Sequence, residues 1–345
     1  MDNPTTNAPS GGAPPSPARI FQTLQAYHQT AALKAGIDLG VFTAIADGAT
    51  TSESIATAVS ASAKGIRVPC DFLTIIGFLT KSGANYSLSA DSAIFLNQHS
   101  PAYMGGIAKF ILTDELTTPY RDFAAVVRKG GTTLADAGTV SNDNHVWDEF
   151  ARSMVPMMIM QAEMLPGLID GDVDRPLRVL DMAAGHGMFG IKVAQKFPNA
   201  HITALDWDHV LAVAKENAVA LGVSDRHTLL PGSAFDVDYG GPYDVILITN
   251  FLHHFSPETN VGLLKKVRAA LADGGVAITL EFVPNEDRVS PPMSAAFAMT
   301  MLGSTAEGDA YPFSLLASMF RDAGFSSSEI HPLLPTPQSA VVSKK

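Results

Sequence analysis

The stretch that decides the fold of the second half of the chain is VLDMAAGHGMFG, residues 179–190. An apolar run that ends at Asp181 leads into Gly185, Gly187 and Gly190, which form a G-x-G-x-x-G array. Glycines at this spacing let a ligand lie close against the backbone, and they are typical of a loop between a strand and a helix. The pattern therefore predicts a strand, a ligand-binding glycine loop and a helix.

Segments with the character of strands alternate with helical segments from residue 170 onward. The helical segments include HVLAVAKENAVALG, PETNVGLLKKVRAALADGG and PFSLLASMFRDAGF. The strand candidates are LRVLDM, HITALD, HTLLPG, YDVILIT and GVAITLEF, followed near the end of the chain by SSEIHPLL and QSAVVSK. Strands separated by single helices predict an α/β fold with a doubly wound, Rossmann-like sheet.

The part of the chain before residue 170 is predicted to be mainly helical. Residues 20–46 are apolar at helical spacing, and two further helices follow, the second running through Leu79. A hairpin around Ser82–Gly83 completes the layout of a winged helix. The domain prediction is a disordered tail over 1–17, a winged-helix dimerisation domain over 18–169 and a cofactor-binding domain over 170–345.

Charge and composition exclude several classes of partner and location. The net charge is −11, and residues 36–100 hold only Lys64, Arg67 and Lys81 as basic side chains, so no nucleic-acid footprint is present. No apolar run approaches the roughly 18 to 20 residues that span a bilayer. The N-terminus lacks the features of a secretory signal, and the single cysteine, Cys70, fits a reducing compartment. We therefore expect a cytoplasmic protein that binds neither nucleic acid nor membrane.

Two cofactors are compatible with the glycine loop alone, namely a nicotinamide dinucleotide and S-adenosylmethionine. Asp206 closes the second strand, where a carboxylate can accept both ribose hydroxyls of either cofactor. Asp181 stands just before the loop, where it would oppose a pyrophosphate but not a ligand that carries an ammonium and a sulfonium. Ser233, Ala234 and Phe235 follow the third strand and can flank an adenine. These features favour S-adenosylmethionine.

Several motifs resemble those of the dimeric class I small-molecule O-methyltransferases, the family of plant caffeate and flavonoid methyltransferases and their bacterial relatives. The resemblance covers residues 20–345, and the motifs that carry it are VLDMAAGHG, ALDWDHV, PGSAF, LHHFSPE and GGVAITLEF. It implies a homodimer that uses S-adenosylmethionine. The chain departs from the family in three places. The family usually has more glycine where this chain has Ala183 and Ala184, and an acidic residue where it has Ser233. Where the family commonly reads His-Asp-Trp, this chain has His253-His254-Phe255.

His253 is the candidate general base for methyl transfer to a hydroxyl. It follows the fourth strand at the carboxyl end of the sheet, and a histidine suits proton abstraction at neutral pH. The resemblance implies the same role and matches Glu281 to a glutamate that orients the base. Glu307 is a poor match to a second such glutamate, and Tyr311 is a candidate to replace it.

The remaining site residues fall into two predicted groups, and no metal site is predicted. The cofactor group is Asp181, Gly185, Gly187, Asp206, Trp207, Ser233, Ala234, Phe235 and Asn250. The acceptor group is rich in methionine and aromatic side chains, which suit a flat, apolar or polyketide-like molecule. It consists of Phe150, Met154, Met157, Met158, His254, Met293, Phe297, Met301 and Tyr311.

Three alternatives remain open from the sequence. The enzyme could methylate a carbon or a nitrogen of a similar small molecule, which needs no base. The glycine loop also fits an NAD(P)-dependent oxidoreductase, and the winged helix fits a ligand-sensing regulator.

Overall fold

The computed structural model describes residues 15–135, 138–140 and 144–345. The chain forms two compact units, Met1–Gly105 and Gly106–Lys345. Most of the predicted disordered tail, residues 1–14, lies outside the described residues. None of the described helices is long and apolar enough to cross a membrane.

The described residues of the first unit form six helices and one antiparallel hairpin. Its hairpin strands are β1 (Leu79–Ser82) and β2 (Asn85–Leu88). The helices are α1 (Ala18–Leu24), α2 (Tyr27–Asp38), α3 (Val41–Ala46), α4 (Ser52–Ala58), α5 (Ala63–Ile75) and α6 (Ala90–Phe95).

Two helices followed by a hairpin confirm the winged-helix layout predicted for this region. Helix α4 begins at a capping box in which the Thr51 and Ser54 side chains bond reciprocally to backbone N–H groups. The prediction that the second helix runs through Leu79 was wrong, because α5 ends at Ile75. Gly77 has a φ of +87°, which an α-helix cannot accommodate, and Leu79 already begins β1.

The second unit carries ten helices among its described residues and seven strands. The strands are β3 (Leu177–Met182), β4 (Ala200–Asp206), β5 (His227–Pro231), β6 (Tyr243–Thr249), β7 (Leu271–Glu281), β8 (Ser327–Pro332) and β9 (Ser339–Lys344). The helices are α7 (Ala108–Ile111), α8 (Asp114–Thr117), α9 (Phe123–Lys129), α10 (Val146–Ser153), α11 (Val155–Met164), α12 (Met188–Lys196), α13 (Asp208–Ala220), α14 (Pro257–Ala270), α15 (Pro292–Ser304) and α16 (Phe313–Asp322).

The strands of the second unit form one mixed sheet in the order β5-β4-β3-β6-β7-β9-β8. The first five are parallel, and β9 pairs antiparallel with both β7 and β8. The prediction of an α/β, Rossmann-like sheet is thus confirmed. The chain moves outward from β3 to β5 and then returns to the other side of β3 with β6. Ligands of open α/β sheets bind beside such a switch, at the carboxyl ends of the strands.

The helix predicted over residues 257–275 ends at Ala270 instead. Leu271 pairs with Tyr243 of β6, and a register shift then brings Val276 opposite Val245. The Asp-Gly-Gly segment that resembled a helix end is therefore an irregularity within a long strand.

Helices α10 and α11 pack in the same compact unit as the sheet. Met154, Met158 and Leu165 belong to one buried apolar cluster with Val179 of β3 and Val245 of β6. The two compact units divide at Gly105–Gly106, and the domain boundary between residues 169 and 170 stays a prediction. Hydrophobic packing of α11 against the sheet outweighs the turn-forming composition of residues 170–176.

Candidate active site

A cavity of about 940 Å³ opens at the carboxyl ends of the parallel strands. Its volume is at the upper end of the roughly 300–1,000 Å³ usual for ligand pockets. Most of the predicted site residues share its wall. Those on the wall are Phe150, Met154, Met157, Met158, Gly185, Asp206, Trp207, Ser233, Ala234, Phe235, Asn250, His253, His254, Met293, Phe297 and Met301.

Four predicted residues do not line the cavity. Asp181, Gly187 and Glu281 lie directly behind wall residues, where they hold the glycine loop and His253 as described below. Tyr311 is buried, and its hydroxyl donates a hydrogen bond to the carbonyl of Phe255. The predicted contact between Tyr311 and an acceptor is therefore absent from the described wall, and Glu307 is exposed to solvent.

The glycine loop is shaped by positive φ angles and close packing. Gly185 and Gly187 have φ values of +57° and +73°, which favour glycine. A Cβ on Gly190 would lie 2.8 Å from Oδ2 of Asp181, which accepts a hydrogen bond from the Gly190 N–H. Burial raises the pKa of Asp181 to about 7. Asp181 therefore braces the loop from behind and is remote from solvent.

Asp206 fastens the other end of the loop. Its Oδ2 accepts the N–H of Gly185 at 2.8 Å, and its Oδ1 accepts the N–H of Trp207 at 2.7 Å. A carboxylate offers about four lone-pair positions, so two remain for hydroxyl donors on the cavity side. Its deep position raises the pKa of this carboxyl to about 6.

His253 and Glu281 form a buried pair at the ends of β6 and β7. The distance from His253 Nδ1 to Glu281 Oε2 is 2.5 Å, and the residues are only 5% and 2% exposed. Glu281 Oε1 also accepts the backbone N–H groups of Phe251 and Leu252. A carboxylate at Nδ1 selects the tautomer that carries its proton there, which leaves Nε2 as a proton acceptor.

Aromatic rings surround this pair. Phe297 meets the His253 ring edge-on with centroids 4.8 Å apart, and it stacks on Phe282 at 4.1 Å. The His254 ring lies 5.2 Å from that of Trp147. Burial and the neighbouring His253 lower the pKa of His254 well below its ordinary value, so this imidazole is neutral at physiological pH.

Several wall residues escaped the sequence reasoning. Phe110, Tyr120 and Trp147 have no motif around them, and only the tertiary fold brings them to the cavity. The one usable signal was the aromatic spacing of Trp147 and Phe150, one turn apart on α10.

A polar cluster behind the wall was also missed. Asp148 accepts from His209 Nδ1 at 2.6 Å and lies 3.0 Å from His145 Nδ1, so it joins α10 to the start of α13. Potential ligand atoms of these three residues lie within 4.8 Å of one another, a spacing compatible with a metal ion. The prediction of no metal site remains a prediction.

The arrangement of fold and site is that of a class I methyltransferase. The chain belongs to the O-methyltransferase family: the O-methyltransferase domain matches residues 122–326, and the O-methyltransferase dimerisation domain matches residues 21–98. It is an S-adenosylmethionine-dependent O-methyltransferase, as the sequence predicted. This assignment replaces the oxidoreductase and regulator alternatives.

Relatives cover nearly the whole chain. A crystal structure of a Nostoc punctiforme protein, assigned as an O-methyltransferase, is 46% identical with a TM-score of 0.92, and the match covers 96% of this chain and 100% of that one. The 3-hydroxy-5-methyl-1-naphthoate 3-O-methyltransferase of Streptomyces sahachiroi is 25% identical over 91% of this chain and 92% of its own length. The S-adenosyl-L-methionine-dependent methyl transferase PigF of Serratia is 24% identical over 93% and 94%.

The residues on the wall fit S-adenosylmethionine. The loop at Gly185 leaves no Cβ between backbone and ligand, and the carboxylate of Asp206 keeps two acceptor positions free. Ala234 and the partly exposed ring of Phe235 offer apolar surface next to the end of β5. A backbone-lined wall that combines one carboxylate with an apolar surface suits the ribose and adenine of the cofactor.

Proposed function

We propose that this enzyme methylates a hydroxyl group of a small, planar, aromatic or polyketide-like acceptor, with His253 as the general base. The observation that carries the proposal is the buried His253–Glu281 pair on the wall of the cavity. Burying a histidine and a carboxylate almost completely, with their atoms 2.5 Å apart, carries a desolvation penalty that a functional role of the pair would explain. Proton abstraction from an acceptor hydroxyl is such a role.

The chemistry follows from the tautomer of His253. A phenol with a pKa near 10 is mostly protonated at neutral pH, so its oxygen is a weak nucleophile until the proton leaves. His253 Nε2 takes that proton, and the oxygen becomes the methyl acceptor. Glu281 stabilises the resulting imidazolium through Nδ1, as carboxylates do in other His–acid pairs. When bound, S-adenosylmethionine supplies the electrophilic methyl group.

Apolar walls support the proposed acceptor class. Met154, Met157 and Met158 come from neighbouring turns at the junction of α10 and α11, and methionine adapts its shape to irregular flat ligands. The stacked rings of Phe282 and Phe297 add a flat surface beside His253. The acceptor named for the Streptomyces sahachiroi relative has a planar hydroxylated ring system of this kind, to which a carboxylate is attached.

The proposed cofactor contacts follow from the construction of the loop. We assign the ribose hydroxyls to Asp206 and the adenine to Ser233, Ala234 and Phe235. Asp181 and Gly187 support the loop from behind. Trp207 and Asn250 complete the wall beside it.

We further propose that the enzyme is a homodimer. Four large apolar side chains on α1 and at the start of α2 are each about 60% exposed or more, which is unusual for a cluster so close in sequence: Ile20, Phe21, Leu24 and Tyr27. They lie in or beside the segment that matches the dimerisation domain. Light scattering of the full-length chain tests this proposal, and a stable monomer at micromolar concentration would contradict it.

The direct test of function follows a labelled methyl group. The enzyme is incubated with S-adenosylmethionine that carries a ¹³C-methyl group and with a panel of planar phenols and naphthols. Nuclear magnetic resonance of the product distinguishes an O-methyl carbon from a C-methyl or N-methyl carbon. A methoxy product, formed in step with S-adenosylhomocysteine, is the expected result. Label on carbon or nitrogen would contradict O-methylation and the need for a base.

A further inference from the structure

We propose that the acceptor carries no ionised group besides the reacting hydroxyl, so that carboxylated aromatic molecules are rejected. This inference rests on the proposed function and specifies the substrate class of the same site. It follows from the charges on the cavity wall and from where the neighbouring cations are held.

Lysine and arginine are absent from the described residues that line the cavity. The only side chain of a charged type on that described wall is Asp206, which is acidic and bonded to the glycine loop. Residues 136–137 and 141–143 lie outside the described part of the structure and are close in sequence to the wall residues Thr139 and Val140. None of these five residues is a lysine or an arginine. An acceptor carboxylate would therefore find no lysine or arginine side chain on the described wall to pair with.

The three wall histidines cannot supply that cation. Burial lowers the pKa of His186 to about 4, and burial together with the adjacent His253 imidazole lowers the pKa of His254 well below its ordinary value. His253 faces the Glu281 carboxylate at 2.5 Å. Even when it holds a proton, the His253–Glu281 pair has no net positive charge.

Two cations close to the wall are directed to other partners. Lys266 donates to the carbonyl groups of Ala234 and Phe235, at 3.2 and 2.9 Å, and so binds the backbone behind the wall. Arg288 pairs with Asp309 at 2.9 Å. Neither side chain is among the residues that line the cavity.

An unpaired carboxylate held against the buried part of this wall, beside His253 and Met301, would lose its hydration without compensation. The penalty for a buried, unpaired ion is several-fold larger than the benefit of a few added apolar contacts. Masking the carboxylate as a methyl ester removes the charge and keeps the ring system. We therefore expect an ester to bind at least about 100-fold more tightly than the corresponding acid.

The test uses 3-hydroxy-1-naphthoic acid and its methyl ester as probes. Calorimetric titration of the full-length enzyme, loaded with S-adenosylhomocysteine, measures the dissociation constant of each probe at pH 7.5. The two tryptophans of the chain, Trp147 and Trp207, both line the cavity, so changes in their fluorescence locate the binding. Acid binding within about threefold of ester binding, a difference too small for an unpaired buried ion, would overturn the inference.

A charge-insertion variant makes the test specific to the wall. Met293 lines the cavity and is 65% exposed, so Met293→Lys places a cation there without burying it. Met293→Gln is the matched control of similar length. We expect Met293→Lys to narrow the preference for the ester by roughly tenfold relative to Met293→Gln, an effect of the size usual for a partly exposed charge pair. An unchanged preference in both variants would contradict the proposed role of wall charge.

Methyl transfer to the two probes is measured in parallel with S-adenosylmethionine. An ester that binds but is not methylated would support the charge inference and contradict the proposed O-methylation of such acceptors. Binding of neither probe would overturn both the aromatic acceptor and the inference that rests on it.

Discussion

The two sides of the cavity are built in different ways. The side proposed to hold the cofactor consists of Gly185, Asp206, Ser233, Ala234 and Phe235, which lie at or just after the ends of β3, β4 and β5 and rely on backbone geometry. The side proposed to hold the acceptor consists of Met154, Met157, Met158, Met293, Phe297 and Met301, which come from the α10–α11 junction, α11 and α15 and rely on side-chain packing. A backbone-built side fixes one ligand, whereas adaptable side chains permit the acceptor to vary. His253 and Glu281 stand where the acceptor side begins.

The largest expected effect is on chemistry at the acceptor side. His253→Ala removes the proton acceptor, so turnover of a phenolic acceptor should fall by about 100-fold or more, the usual value of a positioned base. The affinity for S-adenosylhomocysteine should remain nearly unchanged, because the cofactor side is intact. Steady-state kinetics and calorimetry check the two halves of this prediction. His201→Ala, which removes an exposed histidine from β4, is the control.

Retention of most activity by His253→Ala would show that acceptor alignment alone drives the reaction. The O-methyltransferase assignment would survive that result, and the role of the histidine as a base would not.

The next effect is on the cofactor side. Asp206→Ala removes a charged acceptor for the ribose hydroxyls, which should weaken S-adenosylhomocysteine binding by about 1.5 to 3 kcal/mol. The sign of the pH dependence follows from its raised pKa of about 6: the carboxyl becomes neutral below that pH and is then a weaker acceptor. Wild-type affinity should therefore fall between pH 7.5 and pH 5. The Asp206→Ala variant should lose this pH dependence. Calorimetric titration of both proteins with S-adenosylhomocysteine at pH 7.5 and at pH 5 tests this prediction.

A smaller effect is expected from Glu281→Gln, which tests positioning. The amide can still accept the N–H of Leu252, but its NH₂ group would donate to Nδ1 and move the imidazole proton to Nε2. Turnover should fall by roughly tenfold to 100-fold, less than for loss of the base itself. The pH–rate profile should change, while thermal stability and cofactor affinity stay close to wild type. A purely structural glutamate would instead lower the melting temperature and leave the pH profile in place.

The contrast between the two sides also explains what the sequence could predict. The strands, the glycine loop, Asp206 and His253 are each within a few residues of a strand end, so their positions follow from local pattern and from the rule for parallel sheets. Trp147 and Tyr120 reach the wall only through tertiary packing, which no local pattern encodes. Tyr311 was misplaced for the same reason: nearness in sequence to the site did not reveal that its hydroxyl bonds to the Phe255 carbonyl.

The relation between residues 170–176 and the helix before them also depends on tertiary packing. Residues 170–176 have the composition of a linker, yet the apolar face of α11 packs on the sheet that follows them. Composition reports local turn formation, whereas compactness depends on which buried surfaces meet. The long strand β7 was similarly obscured by glycines that suggested a helix end.

The smallest effects come from a matched pair of substitutions, one on each side. Gly185→Ala adds a single methyl group, but the φ of +57° is strained for alanine, and the new Cβ would lie 3.3 Å from the ring of Phe150. The strain should cost about 1 to 2 kcal/mol and shift the N–H that bonds to Asp206. Thermal unfolding should show the loss of stability, and calorimetry a loss of S-adenosylhomocysteine affinity of about the same free energy.

Met157→Leu rearranges more atoms, but it nearly conserves volume in a half-buried, adaptable wall. Such replacements usually cost less than about 1.5 kcal/mol in stability. We expect its cofactor affinity to equal that of the wild type and only the preference among acceptors to change, because Met157 contributes shape and no backbone geometry. Equal losses of cofactor affinity in Gly185→Ala and Met157→Leu would contradict the separation of the two sides. A loss confined to Gly185→Ala means that backbone conformation determines cofactor binding here, while the methionines remain free to fit the acceptor.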